Sequence, residues 1–135
     1  MRELSDAMSA TDYLIALDTL RRLARTVTSW WADYDVLITP TLAKPAIEIG
    51  ALQPKEGEPP IQMLMNSADW VPFTPVWNVT GQPAISLPLH QTASGLPVGV
   101  QLVGPPAGEE LLISLSAQIE AARPWADRRP ALAVA

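Results

Sequence analysis

Pro83-Ala84-Ile85-Ser86-Leu87-Pro88-Leu89 and, a few residues on, Pro97-Val98-Gly99-Val100-Gln101-Leu102-Val103 decide the fold class. The second run alternates. Val98, Val100 and Leu102 fall on one face of an extended strand, and Gly99, Gln101 and Val103 on the other. The first reads as a strand through Ala84, Ile85, Ser86 and Leu87, with Pro83 and Pro88 at its borders. Between them Ser94-Gly95 signals a turn, so the two runs predict an antiparallel hairpin. Gly104-Pro105-Pro106 stops the second strand.

Working outward, Gly108 to Ala122 predicts a helix. Glu109 and Glu110 sit at its positive end, Leu111, Leu112, Leu115, Ile119 and Ala122 form its stripe, and Pro124 ends it. The tail from 125 to 135 reads as loose apart from Trp125. On the amino-terminal side, Ile61 to Ala68 and Pro72 to Val79 predict short helices, the latter with proline in its first turn. Residues 40–60 hold five prolines, Gly50 and Gly57, which predicts a long irregular excursion of the kind that often lines a site. Asp35-Val36-Leu37-Ile38-Thr39-Pro40 reads as a strand buried on both faces. Residues 11–34 carry a helical period through Tyr13, Leu17, Leu20, Ala24, Val27, Trp31 and Tyr34, capped by Ser9 or Thr11 with Asp12 near the dipole's positive end. The order of helix, strand, loop, short helices, hairpin and helix is an α/β arrangement with a mixed sheet.

Composition narrows the function. Of 135 residues, 48% are hydrophobic and 17% charged, which is apolar for a small domain and fits a piece of a larger core. The net charge is −5 and Lys44 and Lys55 are the lysines, so no basic stripe invites nucleic acid. With no cysteine and one histidine, His90, neither a thiolate nucleophile nor a histidine metal cluster can be built. No apolar run reaches the ~20 residues of a membrane span. Met1 to Ala10 does not read as a signal peptide, which makes the cytoplasm the expected compartment.

Nucleophilic hydrolysis needs an activated hydroxyl, a base within reach and an oxyanion hole. None of the serines lies in a glycine-flanked elbow, and His90 has no acidic neighbour in sequence. Lys44 reads as a loop lysine with its ammonium in water, and Glu109 and Glu110, adjacent on a helix, point apart. No catalytic residue, metal ligand or cofactor cradle is assigned. One stretch stands out. Trp70, Phe73, Trp77 and Asn78 combine large aromatics with a polar amide and are the candidate substrate-binding wall, with core packing at helical spacing as the plainer account of the aromatics. Gly81 calls for positive φ or a close approach. With Pro83, Gly95 and Gly99 it marks the structural motif.

Phe73-Thr74-Pro75-Val76-Trp77-Asn78-Val79-Thr80-Gly81-Gln82-Pro83-Ala84-Ile85-Ser86-Leu87-Pro88 resembles the carboxy-terminal signature of amidase-signature enzymes. So do Gly95 to Gly104, Glu110-Leu111-Leu112 with Glu120, Tyr34 to Thr41, and the ending from Trp125 to Pro130. The likeness spans nearly the whole chain, in order. It implies that residues 1–135 are the carboxy-terminal part of an amidase domain, one portion of a large mixed β-sheet flanked by helices. It implies an amide hydrolase using a nucleophilic serine, a bridging serine in a cis peptide and a lysine base, all in an upstream region this sequence does not match. The implied ligand is an amide-containing small molecule, bound by the full-length enzyme. The implied association is with a missing amino-terminal catalytic portion or with further copies of itself. A stand-alone binding or complementation module is the competing reading. So is a segment of a glutamyl-tRNA(Gln) amidotransferase A-type subunit. That family typically has an aspartate three residues before the threonine of Thr-x-x-x-Asn. The position is Val71 here, which cannot hold the amino group of glutamine. The aromatics look more like those of hydrolases acting on hydrophobic, aryl or cyclic amides.

Overall fold

The computed structural model describes residues 8–129. The readings of the first seven residues as non-leader sequence, and of the last six as tail, lie outside the described residues. The elements run α1 (Ala10–Trp30), β1 (Leu37–Pro40), α2 (Gln62–Ser67), α3 (Pro75–Thr80), β2 (Ala84–Gln91), β3 (Pro97–Val103) and α4 (Glu109–Ala122). The strands form one antiparallel sheet in the order β1-β3-β2. The α/β arrangement and the hairpin expected from the sequence are therefore present.

The alternation of β3 divides the sheet into two chemically different faces. Register pairs Leu102 with Ile38 on one side and Ile85 on the other, so these three share a face. Helix α4 lies against that face. Leu87, Leu102 and Leu112 form the buried core, with Val36, Ile85, Leu89, Leu115, Ile119 and Trp125 packed round it. Fully burying each such leucine contributes roughly 1.5–3 kcal/mol, so this small cluster is the main apolar anchor of the described fold. The opposite face carries Thr39, Gln101 and Ser86 in one register row, followed by Thr41 and Gly99.

Several sequence expectations need correction. Strand β1 is not buried on both faces: it is an edge of the described sheet, and Ile38 is 63% exposed. Its apolar run reads as central because a strand's composition reports what it is built to touch, not which neighbours are present. Helix α1 stops at Trp30, with Trp31 as its C-cap, rather than running to Tyr34. No residue of α1 is buried; Leu17, Ala24 and Val27 are half-buried, and Tyr13, Leu20 and Leu23 are exposed. Trp70 and Phe73 precede α3, which starts at Pro75, so they do not share a helix with Trp77. Pro88 lies inside β2 rather than at its border. A bulge between Leu87 and His90 absorbs the missing N–H and lets the strand continue to Gln91.

The proline-rich excursion is tied down at several points. The Ala43 N–H donates to the Trp70 carbonyl at 2.9 Å, the Trp70 indole N–H to the Pro45 carbonyl at 3.3 Å, and the Asn66 amide to the Leu52 carbonyl at 3.2 Å. Trp77 sits elsewhere, edge-on to Trp31 at 6.4 Å, where α3 meets the end of α1. Both indole nitrogens are buried without a partner among the described residues.

Helix α1 opens with a reciprocal cap. The Asp12 N–H donates to the Ser9 hydroxyl oxygen (3.1 Å), and the Ser9 N–H and O–H both donate to the Asp12 carboxylate (2.9 and 2.7 Å). The Ser9 hydroxyl, then its backbone N–H, hold the Asp12 carboxyl below the usual aspartate range. A depressed folded-state pKa contributes stability above the unfolded value and loses it as pH falls through the folded one. Fraying of the first turn of α1, read by amide exchange, should therefore increase on acidification. Ser9→Ala should fray at neutral pH and lose most of that pH dependence.

Gly81 caps α3 in the left-handed conformation, φ 77°, with its N–H on the Trp77 carbonyl at 2.9 Å. A Cβ there has open space, so the constraint is the dihedral alone. Gly81→Val should cost ~1–3 kcal/mol in urea unfolding, and Gly81→Asn distinctly less. Equal, near-neutral effects would remove this role.

Gly99 is glycine for a different reason. A Cβ built there comes within 2.6 Å of the Ser86 hydroxyl and 2.7 Å of the Thr41 hydroxyl, which bond each other at 2.6 Å across it. Gly99→Ala should destabilise by ~1–3 kcal/mol. In a Ser86→Ala background the penalty should shrink, a non-additivity that a double-mutant cycle measures.

Candidate functional site

The polar face of the sheet is the part of the fold with chemistry on it. Antiparallel register places Thr39 and Ser86 either side of Gln101. Gln101 is only 4% exposed. Its amide nitrogen donates to the Thr39 hydroxyl oxygen at 3.0 Å and to the Phe73 carbonyl at 3.1 Å. One buried side chain thus fixes the segment leading into α3 against two strands. Such a group is costly to leave unpaired, so the geometry it imposes is firm. The Thr41 N–H continues the ladder to the Gly99 carbonyl at 2.9 Å. Thr41 and Ser86 then join hydroxyls over the bare Gly99 backbone.

Beside these hydroxyls the chain leaves β1 and makes a groove. A pocket of about 270 Å³ is lined by Pro40, Leu42, Lys44, Pro45, Pro97 and Gly99 among others. A second, of about 260 Å³, is lined by Thr41, Leu42, Ser86, Pro88, Pro97 and Gly99, and shares three of those residues with the first. The walls are proline and leucine, and the polar groups are few: two hydroxyls at the floor and one ammonium. That is the usual make-up of a small-molecule site.

Lys44 is an exposed loop lysine, as expected, and it has two neighbours. Its ammonium is 2.9 Å from the Asp69 carboxylate and 4.3 Å from the centre of the Trp70 ring. It is satisfied by this pair. The hydroxyl of Ser86 is engaged with Thr41. An activated nucleophile needs a base within hydrogen-bond reach, and among the described residues no serine bonds Lys44. His90 is exposed at the end of β2, as expected. Among the described residues no cluster of His, Asp and Glu has the arrangement to hold a metal ion.

The four residues of the expected binding wall do not come together as one surface. Trp70 does not line the groove but touches two residues that do, with Lys44 above its ring and the Pro45 carbonyl at its indole N–H. Phe73 is half-buried and is held by its carbonyl. Trp77 faces Trp31 on the α1 side, and Asn78 is exposed on α3. Of the structural motif, Gly81 and Gly95 have positive φ, Gly95 within the hairpin turn. The Pro83 carbonyl accepts from the Gly104 N–H at 3.0 Å and so extends the ladder past the strand end. Sequence reasoning missed Thr39, Thr41, Ser86 and Gln101 as a group. Their signal was the period of two, which puts them on the face of β3 already identified by Gly99 and Gln101.

The amidase family model matches residues 1–113. AmiC of Mycobacterium leprae (strain TN), whose name assigns it to the amidases provisionally, is 47% identical over 111 residues, 82% of this chain and 23% of that protein. The 6-aminohexanoate-cyclic-dimer hydrolase of Pseudomonas sp. (strain NK87) is 38% identical over 133 residues, 95% of this chain and 27% of that protein. A solved structure of 6-aminohexanoate cyclic dimer hydrolase complexed with substrate superposes with a TM-score of 0.88 at 39% identity, covering 94% of this chain and 27% of that one. The glutamyl-tRNA(Gln) amidotransferase A-type subunit from Thermotoga maritima is more distant, with a TM-score of 0.58 at 31% identity over 77% of this chain and 21% of that one. The chain spans about a quarter of the length of the curated relatives it matches. The described fold superposes on that of a solved hydrolase and the family model covers most of the sequence, so the chain belongs to the amidase family.

Proposed function

We propose that this chain is the carboxy-terminal portion of an amide hydrolase, supplying the end of the sheet and one side of the substrate groove to a nucleophile and base carried elsewhere in the polypeptide. The observation that carries this is the pairing within the groove. Ser86 is bonded to Thr41 and Lys44 to Asp69, which leaves no serine–lysine couple among the described residues. Cleavage by the serine nucleophile and lysine base that the resemblance implies needs one. The groove itself is fit to bind rather than to cut. Its proline and leucine walls accept the aliphatic part of an amide, and its hydroxyls offer a donor and acceptors to a carbonyl or N–H.

The substrate is an uncharged aliphatic, aryl or cyclic amide. Val71, half-buried just before the Gln101-held segment, offers no counter-charge to a substrate ammonium. That argues against glutamine as the amide donor and against the amidotransferase reading. Of the expected wall, Trp70 is the residue kept on the substrate side, next to the groove through its contacts with Lys44 and Pro45.

The test has two arms. The isolated chain is treated with a fluorophosphonate probe and with 6-aminohexanoate cyclic dimer; neither labelling nor hydrolysis is expected. A hybrid, with the chain replacing the matching quarter of the cyclic-dimer hydrolase, should label and hydrolyse, and Trp70→Ala in it should raise KM more than it lowers kcat. Specific labelling of one serine in the isolated chain would overturn the assignment, and Ser86 is the one to check first.

A further inference from the structure

Resting on the functional reading above, we infer that Asp69 sets the groove's preference for uncharged amides by cancelling the charge of Lys44, and that without Asp69 the groove takes an amide bearing a carboxylate. Lys44 is the ionised side chain among the residues that line the two groove pockets. The others are proline, alanine, leucine, valine, glycine and the hydroxyl residues Thr41 and Ser86. A lone ammonium against such apolar walls would draw an anionic ligand. Here it does not stand alone. The Asp69 carboxylate, 2.9 Å away, leaves the wall with no net charge. Asp69 itself lines neither pocket, so it acts on a ligand through Lys44, as a positioning residue.

The ammonium is anchored independently of that carboxylate. It lies 4.3 Å from the centre of the Trp70 ring, a cation–π contact. The loop that carries it is tied to the same tryptophan by the Ala43 N–H on the Trp70 carbonyl at 2.9 Å and by the Trp70 indole N–H on the Pro45 carbonyl at 3.3 Å. Trp70 in turn leads into Phe73, whose carbonyl is held from β3 by Gln101. These contacts keep Lys44 at the wall when residue 69 is neutral. The ion pair is exposed, the Asp69 side chain to 76%, so it adds little to folding. Its consequence lies in charge rather than in structure. The pairing also silences the opposite sign. With Asp69 taken by Lys44, and with Val71 apolar, a substrate ammonium meets no unpaired carboxylate on this segment.

The test uses the hybrid with the cyclic-dimer hydrolase and two compounds that differ in the charge of one end, 6-acetamidohexanoate and its uncharged primary amide. Both are run as competitors of cyclic-dimer hydrolysis, and the ratio of their inhibition constants is read. The parent hybrid should favour the uncharged amide. Asp69→Asn should shift the ratio ~10-fold toward the carboxylate, and less at high salt. Asp69→Glu should keep the parent ratio, and Lys44→Met in the Asp69→Asn background should restore it. If Asp69 merely held the loop, both constants would rise together. An unmoved ratio, or a shift that survives Lys44→Met, overturns this inference and leaves the functional reading standing. A hybrid that hydrolyses nothing counts against the functional reading. The 135-residue chain is then titrated with the same two compounds and followed at the Trp70 indole N–H by NMR. The same ratio shift in Asp69→Asn supports the inference there; an unmoved ratio, or no binding by parent and variant alike, overturns it.

Discussion

Strand β3 is the described strand with a neighbour on each side, and its alternation organises everything near it. Every second residue, Val98, Val100 and Leu102, falls on one face, and Leu102 packs there in the leucine core with α4. The intervening ones, Gly99, Gln101 and Val103, belong to the face with hydroxyls and a carboxamide. A slip of one residue in register would bury Gln101 in the leucine cluster and put Leu102 in the polar row, so hydrophobic burial enforces the polar geometry on the other side. The buried carboxamide of Gln101 carries that precision outward, to Thr39 on β1 and to the carbonyl of Phe73 ahead of α3.

The polar face is held by mutual hydrogen bonds. The Thr41 and Ser86 hydroxyls bond each other, and among the described residues no lysine or other base completes a proton relay from them. Lys44 is engaged by the Asp69 carboxylate at 2.9 Å and not by a serine hydroxyl. The same chemistry makes a good wall: fixed donors and acceptors between rigid proline surfaces lose little entropy when an amide docks. The proposed division of labour, with a binding side in this chain and a reacting side elsewhere, rests on what each side chain is already bonded to.

The hairpin, the α4 helix, the left-handed Gly81 and the Ser94-Gly95 turn were legible in the sequence because each is governed by local rules of alternation, stripe or dihedral. The Thr41–Ser86 bond over Gly99 was not. It joins residues 45 apart through a register that no local pattern states, although the alternation of β3 put Gly99 and Gln101 on one face in advance. The binding wall was misread as one surface for a similar reason. Trp70 and Trp77 are seven apart, a helical spacing, but Pro75 starts a new helix between them and sends the two rings to different neighbours. Strand β1 was misread as enclosed because apolar composition identifies a buried strand without naming what buries it.

That last point also explains the composition. A chain with 48% hydrophobic and 17% charged residues should enclose a substantial core, yet the buried hydrophobic residues described are Trp31, Leu87, Leu102, Val103 and Leu112. The other large apolar side chains are widely exposed, on α1 at Tyr13, Leu14, Ile15, Leu20 and Leu23, on β1 at Ile38, on α2 at Met63, Leu64 and Met65, and on α4 at Ile113. Scattered exposed leucines are ordinary, but so many round so small a core are not. That surplus fits one part of a larger amidase domain better than a small domain complete in itself.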